Sequence, residues 1–493
     1  MIKRILFPLI IFTAGISLLP LQAFSQNHSE QDLEYRKWRV TLFPPLSTNG
    51  LEAPQYTAKY SINILVGSHG GLDGGEIGGL VNYNKYYSHG FQLAGLGNIS
   101  GGHMSGVNIS GLGNFSKNDM SGIQVAGLTN FSGEDLEGIQ VVGGLNIAGD
   151  NSSGLQFAGI GNIAKGDIEG LQGASILNAA WGDISGLQAA GIANIAKEDV
   201  EGLQAAGVFN FAGADISGLQ AAAGANVALG NIEGLMVSGG VNVARKDASG
   251  LLISGGLNIA NNLEGASISG GANIARNLTG LQIAGLLNAS QTATGLQIGL
   301  INVAKEFEGV PIGLISYYGN GRKNIDVRFS DGGFTDVGLT LGTHRVYNSA
   351  LFGYNTLLDR DVYRIGLAVG LEKNINDSFQ NWKNETMFVN QEFAVTHQFE
   401  DEWSKDLNLI YSYKFLVGKR FGNGFSLYGG PSFNAQITRV DGAKDYSWYS
   451  LWSPEWKGRD YQFWVGFTAG ISLFKQKAPL RFKDEFNNWD IDW

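Results

Sequence analysis

The 493-residue chain contains no cysteine. That excludes disulfides, thiolate metal sites and a lipid-modified N-terminal cysteine. Only 16% of residues are charged, the net charge is −10, and no basic block occurs, so nucleic acid is not expected as a partner. After the first twenty-five residues no apolar run reaches the length of a spanning helix, because glycine and polar residues interrupt each one. Catalytic signatures are missing as well. The histidines His28, His69, His89, His103, His344 and His397 lie scattered, without HExxH or other paired-ligand spacing. There is no GxSxG, no P-loop, and no GxGxxG in the strand-to-helix setting that nucleotide binding needs. The expectation is a protein with no cofactor, no catalytic residues and no metal centre.

Glycine is the residue in excess, with 72 copies, and it is periodic. A unit opens on Gly90, Gly106, Gly122 and every sixteen residues to Gly250, then on Gly265, Gly280, Gly295 and Gly309 after short losses. Two clear copies read GLQAAGIANIAKEDVE from Gly186 and GLQAAGVFNFAGADIS from Gly202. A period of this length fixes the architecture before any other feature does. With the glycine as position 0, position 1 is usually Leu or Ile, position 2 mostly Gln, position 10 Ala or Ser, and position 14 commonly Ile, Val or Leu. Position 8 is Asn in the full-length units: Asn98, Asn114, Asn130, Asn146, Asn162, Asn178, Asn194, Asn210, Asn226, Asn242 and Asn258 continue a series that begins at Asn82 and ends at Asn302.

The unit divides into two related halves. Residues are lost at two places about half a unit apart, near positions 11 to 13 and near positions 4 and 5. A coil with two corners has this property. The favoured fold class is therefore all-β: a repeat β-solenoid of 15–16-residue coils followed by an antiparallel β-barrel-like domain. Fifteen coils at the inter-strand spacing of ~4.8 Å would span roughly 70 Å. Stacked in register, the asparagine amides would form a ladder; the other reading gives them only a turn conformation. Position 13 is Asp or Asn in nine units, from Asp119 to Asp247. These residues serve as solvated turns or, on another reading, as calcium ligands, although the GGxGxDxUx calcium-coil pattern is missing. One competing geometry makes each unit a transmembrane strand of one large antiparallel outer-membrane barrel.

Domain boundaries follow the changes of pattern. Residues 1–25 resemble a signal peptide, with Lys3 and Arg4, an apolar run from Ile5 to Leu19, and Ala23-Phe24-Ser25 at the cleavage positions. Residues 26–58 form a polar lead-in, 59–309 the repeat array, 310–475 the barrel-like domain and 476–493 a charged, aromatic tail. In the barrel-like domain a period of two replaces the period of sixteen. Tyr363, Ile365, Leu367, Val369 and Leu371 share one face, as do Tyr461, Phe463, Val465, Phe467, Ala469, Ile471 and Leu473. About eight such strands are predicted, enough for a small closed barrel. In an exported chain this suggests insertion in the outer membrane of a Gram-negative-type bacterium, with membrane lipid as a partner. Trp448, Trp452 and Trp456 are spaced by four and would share one face of a helical turn. They suit a loop at the membrane interface or an aromatic platform for a glycan.

The units GLQIAGLLNAS from Gly280 and GLQIGLINVAKEFEGVPIGLIS from Gly295 resemble the bacterial surface-repeat family whose members carry GLQIGLIN-type repeats. FPPLSTNG with GGLDGGEIGGLVN is similar to the entry segment of its longer members, so the likeness covers about residues 41–316. The resemblance implies outer-membrane or cell-surface placement and carries no activity. The functional expectation is a non-enzymatic surface protein with a structural or adhesive role, its surface ligand undefined. The alternative is a transport or pore protein whose repeats form transmembrane strands.

Overall fold

A computed structural model describes residues 33–375, 387–400, 403–421, 424–440, 443, 446–456 and 458–474. The segments read as signal peptide and C-terminal tail lie outside the described residues. Regular structure is almost entirely β: a parallel β-solenoid of about sixteen coils, then a closed eight-stranded antiparallel barrel. The repeats are therefore coils, not the strands of a single large antiparallel barrel. The chain divides into two compact units, residues 1–175 and 176–493.

The first unit holds the opening coils. Its first strand, Glu34–Phe43, pairs in parallel with Tyr56–Asn63. The lead-in is thus part of the solenoid, with one short 3-10 helix at Gly50–Gln55 between the two strands. From Gly90 onward each coil follows one plan. In the second unit, Val200–Ala206 is the long strand and Phe209–Ala212 the short one, with a corner at Gly207-Val208. Each strand stacks on its counterpart one unit away, as in Gly186↔Gly202, Gln188↔Gln204 and Asn194↔Asn210.

Because side chains alternate along a strand, the coil sorts its residues cleanly. Positions 2, 8, 10 and 14 point inward: Gln204, Asn210, Ala212 and Val200 are all buried. Positions 1, 3, 6 and 9 face outward. Of the two positions that are mostly Leu, Ile or Val, 1 and 14, only position 14 is core. The solenoid interior is narrow and rich in amides, and alanine at position 10 lets the facing strands close over it. The opening glycine is held at positive φ, +125° at Gly202, and a Cβ there would sit 2.2 Å from the Gly186 carbonyl oxygen. Both restrictions demand glycine. The lost residues fall at the corners. The Val241–Ser254 strand drops out of register with the next between Ala244 and Asp247, where the following coil is one residue shorter.

In the second unit the array runs past residue 309. Ile315–Tyr318 pairs with the coil before it, and a turn at Gly319–Gly321 leads into the barrel. The barrel strands are β1 Arg322–Ser330, β2 Phe334–Gly342, β3 Val346–Asn355, β4 Val362–Asn374, β5 Met387–Glu400, β6 Asn408–Phe421, β7 Phe425–Thr438 and β8 Asp460–Phe474. Each pairs antiparallel with its neighbour, and β1 closes on β8.

Candidate functional site

Two columns of amides run through the solenoid core. In the first unit Asn82 Nδ2 donates to Asn98 Oδ1 at 2.9 Å, and the relay continues to Asn162. In the second it runs from Asn178 through Asn302, with spacings of 2.8–3.0 Å, and passes to the Ser316 hydroxyl. The same amide nitrogens also donate to a backbone carbonyl of the next coil, as Asn210 does to Ala221 O at 2.8 Å. The second column is glutamine at position 2. Gln204 Nε2 donates to Gln188 Oε1 and Gln220 Nε2 to Gln204 Oε1, at 3.0 and 2.7 Å. The asparagines donate toward the C-terminal end of the stack and the glutamines toward the N-terminal end, so the two rows of amide dipoles oppose each other. All of these groups are buried, and apart from atoms at breaks in the glutamine column, such as Gln220 Oε1, they satisfy one another, which makes them scaffold and not a ligand site.

Near the start of the first unit one member of the glutamine column is replaced by a charge. Glu76 lies two residues after Gly74, at the glutamine position, and is fully buried. Its oxygens accept from Arg39 Nη2, Ser61, Asn63, Asn84 and Gln92. Arg39 also donates to Gly71 O and to Asn84 Oδ1. Burial alone would raise the Glu76 carboxyl, but the charges of Arg39 and His69 and the amides of Asn84 and Asn63 bring it down to about 2. Burial, helped by the Arg39 charge, lowers His69 to about 3 against the opposing pull of Glu76. The sequence reading missed this cluster.

The Asp/Asn row at position 13 lies on an exposed corner, where its side-chain oxygens accept backbone N–H groups of the next coil. Asp199 accepts from the Asp215 N–H at 2.8 Å, and Asp215 from the Asn231 N–H at 2.7 Å. That backbone bond, and then the Asn231 amide, hold the Asp215 carboxyl below its ordinary value. With its neighbours at position 15 the row lines an open groove of about 680 Å³ that includes Asp199, Glu201, Asp215, Glu233, Asp247 and Glu264. Among the described residues no group of His, Asp or Glu has metal-ligating geometry.

The barrel places charge inside and apolar side chains outside. Arg328 Nη1 donates to both oxygens of Glu392, at 2.7 and 2.8 Å, and Lys414 Nζ and the Tyr347 hydroxyl donate to the same carboxylate. Glu372 joins Arg322 and Arg420, and Asp336 joins Arg364. Two interior cavities beside these clusters measure only about 20 Å³ each, so side chains pack closely around the ion pairs. Outward, Leu339, Phe352, Leu367, Phe393, Phe415 and Leu427 are exposed.

At the barrel end away from the last coil, the connection from β7 to β8 folds over the mouth. Tyr446 is buried there with Phe334, Val362, Ile410, Ala443 and Trp464, and its hydroxyl donates to Glu400. The three tryptophans lie on this connection but not on a helical turn. Trp452 pairs with Phe463 and Glu455 with Asp460 in isolated antiparallel bridges, so the segment is extended. The Trp452 ring stacks on Phe463, while Trp448 projects outward, 82% exposed.

Comparison with protein families, with curated proteins and with solved structures finds no match to this chain, so geometry and chemistry carry the functional reading.

Proposed function

We propose that this is an exported, non-enzymatic outer-membrane protein, held in the bilayer by its C-terminal barrel and presenting a repeat solenoid as a structural element. The observation that carries the reading is the polarity of the barrel. Its interior holds ion-paired Arg328, Glu392, Lys414, Arg322 and Glu372, while its outer surface is a belt of Leu, Val, Ile and Phe. A soluble barrel has the reverse distribution, and a lipid-facing one needs this one. Strands of nine to fifteen residues match the length a tilted spanning strand requires. The exposed Trp448, Trp452 and Trp456 suit a membrane–water interface.

A pore role for the repeats has no support, since it requires antiparallel strands and the repeat strands are parallel. Between a structural and an adhesive role, loop lengths favour the former. Of the three connections on the end that meets the last coil, β2–β3 and β6–β7 span only residues 343–345 and 422–424 and β4–β5 spans 375–386, while the longest of all, 439–459, is at the opposite end. In bacterial barrels short turns lie on the periplasmic side. A membrane-impermeant thiol reagent on intact cells tests this with a cysteine at Ser217 and one at Trp448. The structural reading expects labelling at 448 and, until the outer membrane is permeabilised, none at 217. Labelling of 217 on intact cells would favour the adhesive role, and recovery of the chain outside the outer-membrane fraction would refute both.

A further inference from the structure

We propose that the solenoid is itself a membrane-contacting element, with one long edge immersed in the acyl chains of the bilayer that the barrel crosses. The proposal rests on the barrel reading above and concerns the coils of the second unit.

Its first ground is the distribution of charge around the coil. In nine successive units, from Gly186 to the one opening at Gly309, no charged residue or histidine occurs between the glycine and the residue that closes the short strand. Every Lys, Arg, Asp and Glu of these coils falls at the opposite corner or beside it. The charge-free edge is also where apolar side chains stand in the open. Val208 and Leu286 are 52% and 59% exposed, and Ile192, Leu300 and Leu314 belong to the same row. In the middle of the row glycine takes this position, at Gly224, Gly240, Gly256 and Gly271, which keeps the edge uncharged but less bulky. A continuous apolar surface of this kind marks a contact.

The second ground is the backbone. An apolar edge made of ordinary loops could not enter hydrocarbon, because its N–H and C=O groups would lose their water. Here the corner backbone is bonded from coil to coil. Val208 N–H donates to Ile192 O at 3.1 Å, Gly224 N–H to Val208 O at 3.0 Å, Leu286 N–H to Gly271 O at 3.0 Å, and Leu314 N–H to Leu300 O at 3.0 Å. The corner is therefore a further ladder that takes up these N–H groups from coil to coil, while the carbonyl one residue earlier, as at Gly207 and Ala223, accepts no backbone bond.

The third ground selects lipid over a protein partner. The apolar edge runs on into the barrel belt: Leu314, Ile315 and Tyr317 of the last coil are exposed, and so are Ile325 and Val327 of β1, only a few residues along the chain. At the junction Lys323 Nζ lies 4.4 Å from the centre of the exposed Tyr317 ring, the aromatic and cationic pair found at the level of lipid head groups. The core behind the edge is made of amides, so inside-polar and outside-apolar holds for coils and barrel alike.

The chain has no cysteine, so nitroxide labels can be placed singly in the full-length protein reconstituted in phospholipid vesicles. The tip labels replace Val208 and Leu286, the polar-edge labels Ser217 and Glu233, and the belt label Leu367. Accessibility to oxygen relative to a water-soluble nickel complex is then read for each. The proposal expects ratios at 208 and 286 close to that at 367 and several-fold above those at 217 and 233. A belt label in lipid with tip labels in water overturns the proposal and leaves the barrel reading standing. A belt label in water overturns the barrel reading and this proposal with it. Dipolar broadening between tip labels, or shielding from both reagents, would mean that a second copy covers the edge, and would overturn it too.

Discussion

Substitution of Asn210 separates a core amide ladder from an asparagine that merely permits a turn. Its Nδ2 donates to Asn226 Oδ1 at 2.9 Å, to Ala221 O at 2.8 Å and weakly to Gln204 O at 3.3 Å, while its Oδ1 accepts from Asn194 at 2.9 Å. Asn210→Ala removes all four. Asn194 keeps its bond to Ala205 O, but Asn226 Oδ1 is left buried without that donor. At about 1 kcal/mol for each good hydrogen bond and about 1–3 for a stranded buried acceptor, the expected loss is about 4 kcal/mol. Val208→Ala, two residues away on an exposed edge, should change stability by less than about 1 kcal/mol in detergent.

Asn210→Asp is the sharper test. It keeps the shape but turns the donor into an oxygen facing Asn226 Oδ1 and Ala221 O, and it adds a buried charge. At neutral pH it should destabilise more than alanine does. The folded pocket raises the pKa of the new carboxyl above the unfolded value of about 3.9. Folding then binds a proton, and the deficit shrinks as pH falls toward that value. Hydrogen exchange of the amides from 194 to 226 in the full chain is the assay, because solenoid coils open locally. An Asn210→Ala variant as mild as Val208→Ala, or an aspartate better tolerated than alanine, would refute the buried amide ladder.

Other outcomes follow from the same structure. Gly202→Ala puts a Cβ 2.2 Å from Gly186 O at a φ of +125° and should cost about 3 kcal/mol, against little for Ala205→Gly, read by denaturant midpoint. Glu76→Gln leaves Arg39 buried without its counter-charge and should destabilise the first unit by about 3–5 kcal/mol, seen as loss of exchange protection around residues 61–92. In the native chain His69 stays neutral down to about 3 while the unfolded ring protonates near 6.5, and Glu76 stays ionised to about 2 against 4.5 unfolded. In both windows the unfolded state binds the extra proton, so the first unit should lose stability as pH drops below about 6.5, with a slope near 1.4 kcal/mol per pH unit for each proton. His69→Gln should remove the part of that loss above pH 4.5. Glu392→Ala leaves Lys414 without its carboxylate and Arg328 with Asp326 alone inside the barrel and should lower its unfolding midpoint far more than Leu427→Ala on the outer belt.

The period of sixteen made the coil, its two corners and the register of Asn82 to Asn302 legible, because each residue type returns wherever the stack repeats the same environment. Period two did the same for the barrel strands, from Arg322–Ser330 to Asp460–Phe474. Orientation was harder to see. A repeating Leu at position 1 and a repeating Gln at position 2 are equally periodic, and the usual expectation of apolar inside and amide outside is reversed here. Only the alternation of the long strand, with position 14 inward, fixes position 2 as core. Arg39 and Glu76 stayed hidden because they are 37 residues apart and neither repeats. Carrying the glutamine register back one unit from Gln92 would have found Glu76. The Trp448, Trp452 and Trp456 spacing suits a helix and an extended chain equally, since four is a multiple of two. The bridges to Phe463 and Asp460 decide for the extended form.

The lipid-facing barrel with its charged, closely packed interior is read out along β4. Single cysteines from Tyr363 to Leu371, each carrying a nitroxide, can be scanned in the full-length protein in vesicles. A period of two is expected, with oxygen-rich lipid contact at 363, 365, 367, 369 and 371 and immobile, shielded labels at 364, 366, 368 and 370. Uniform contact with the water-soluble reagent along the odd-numbered positions would contradict it.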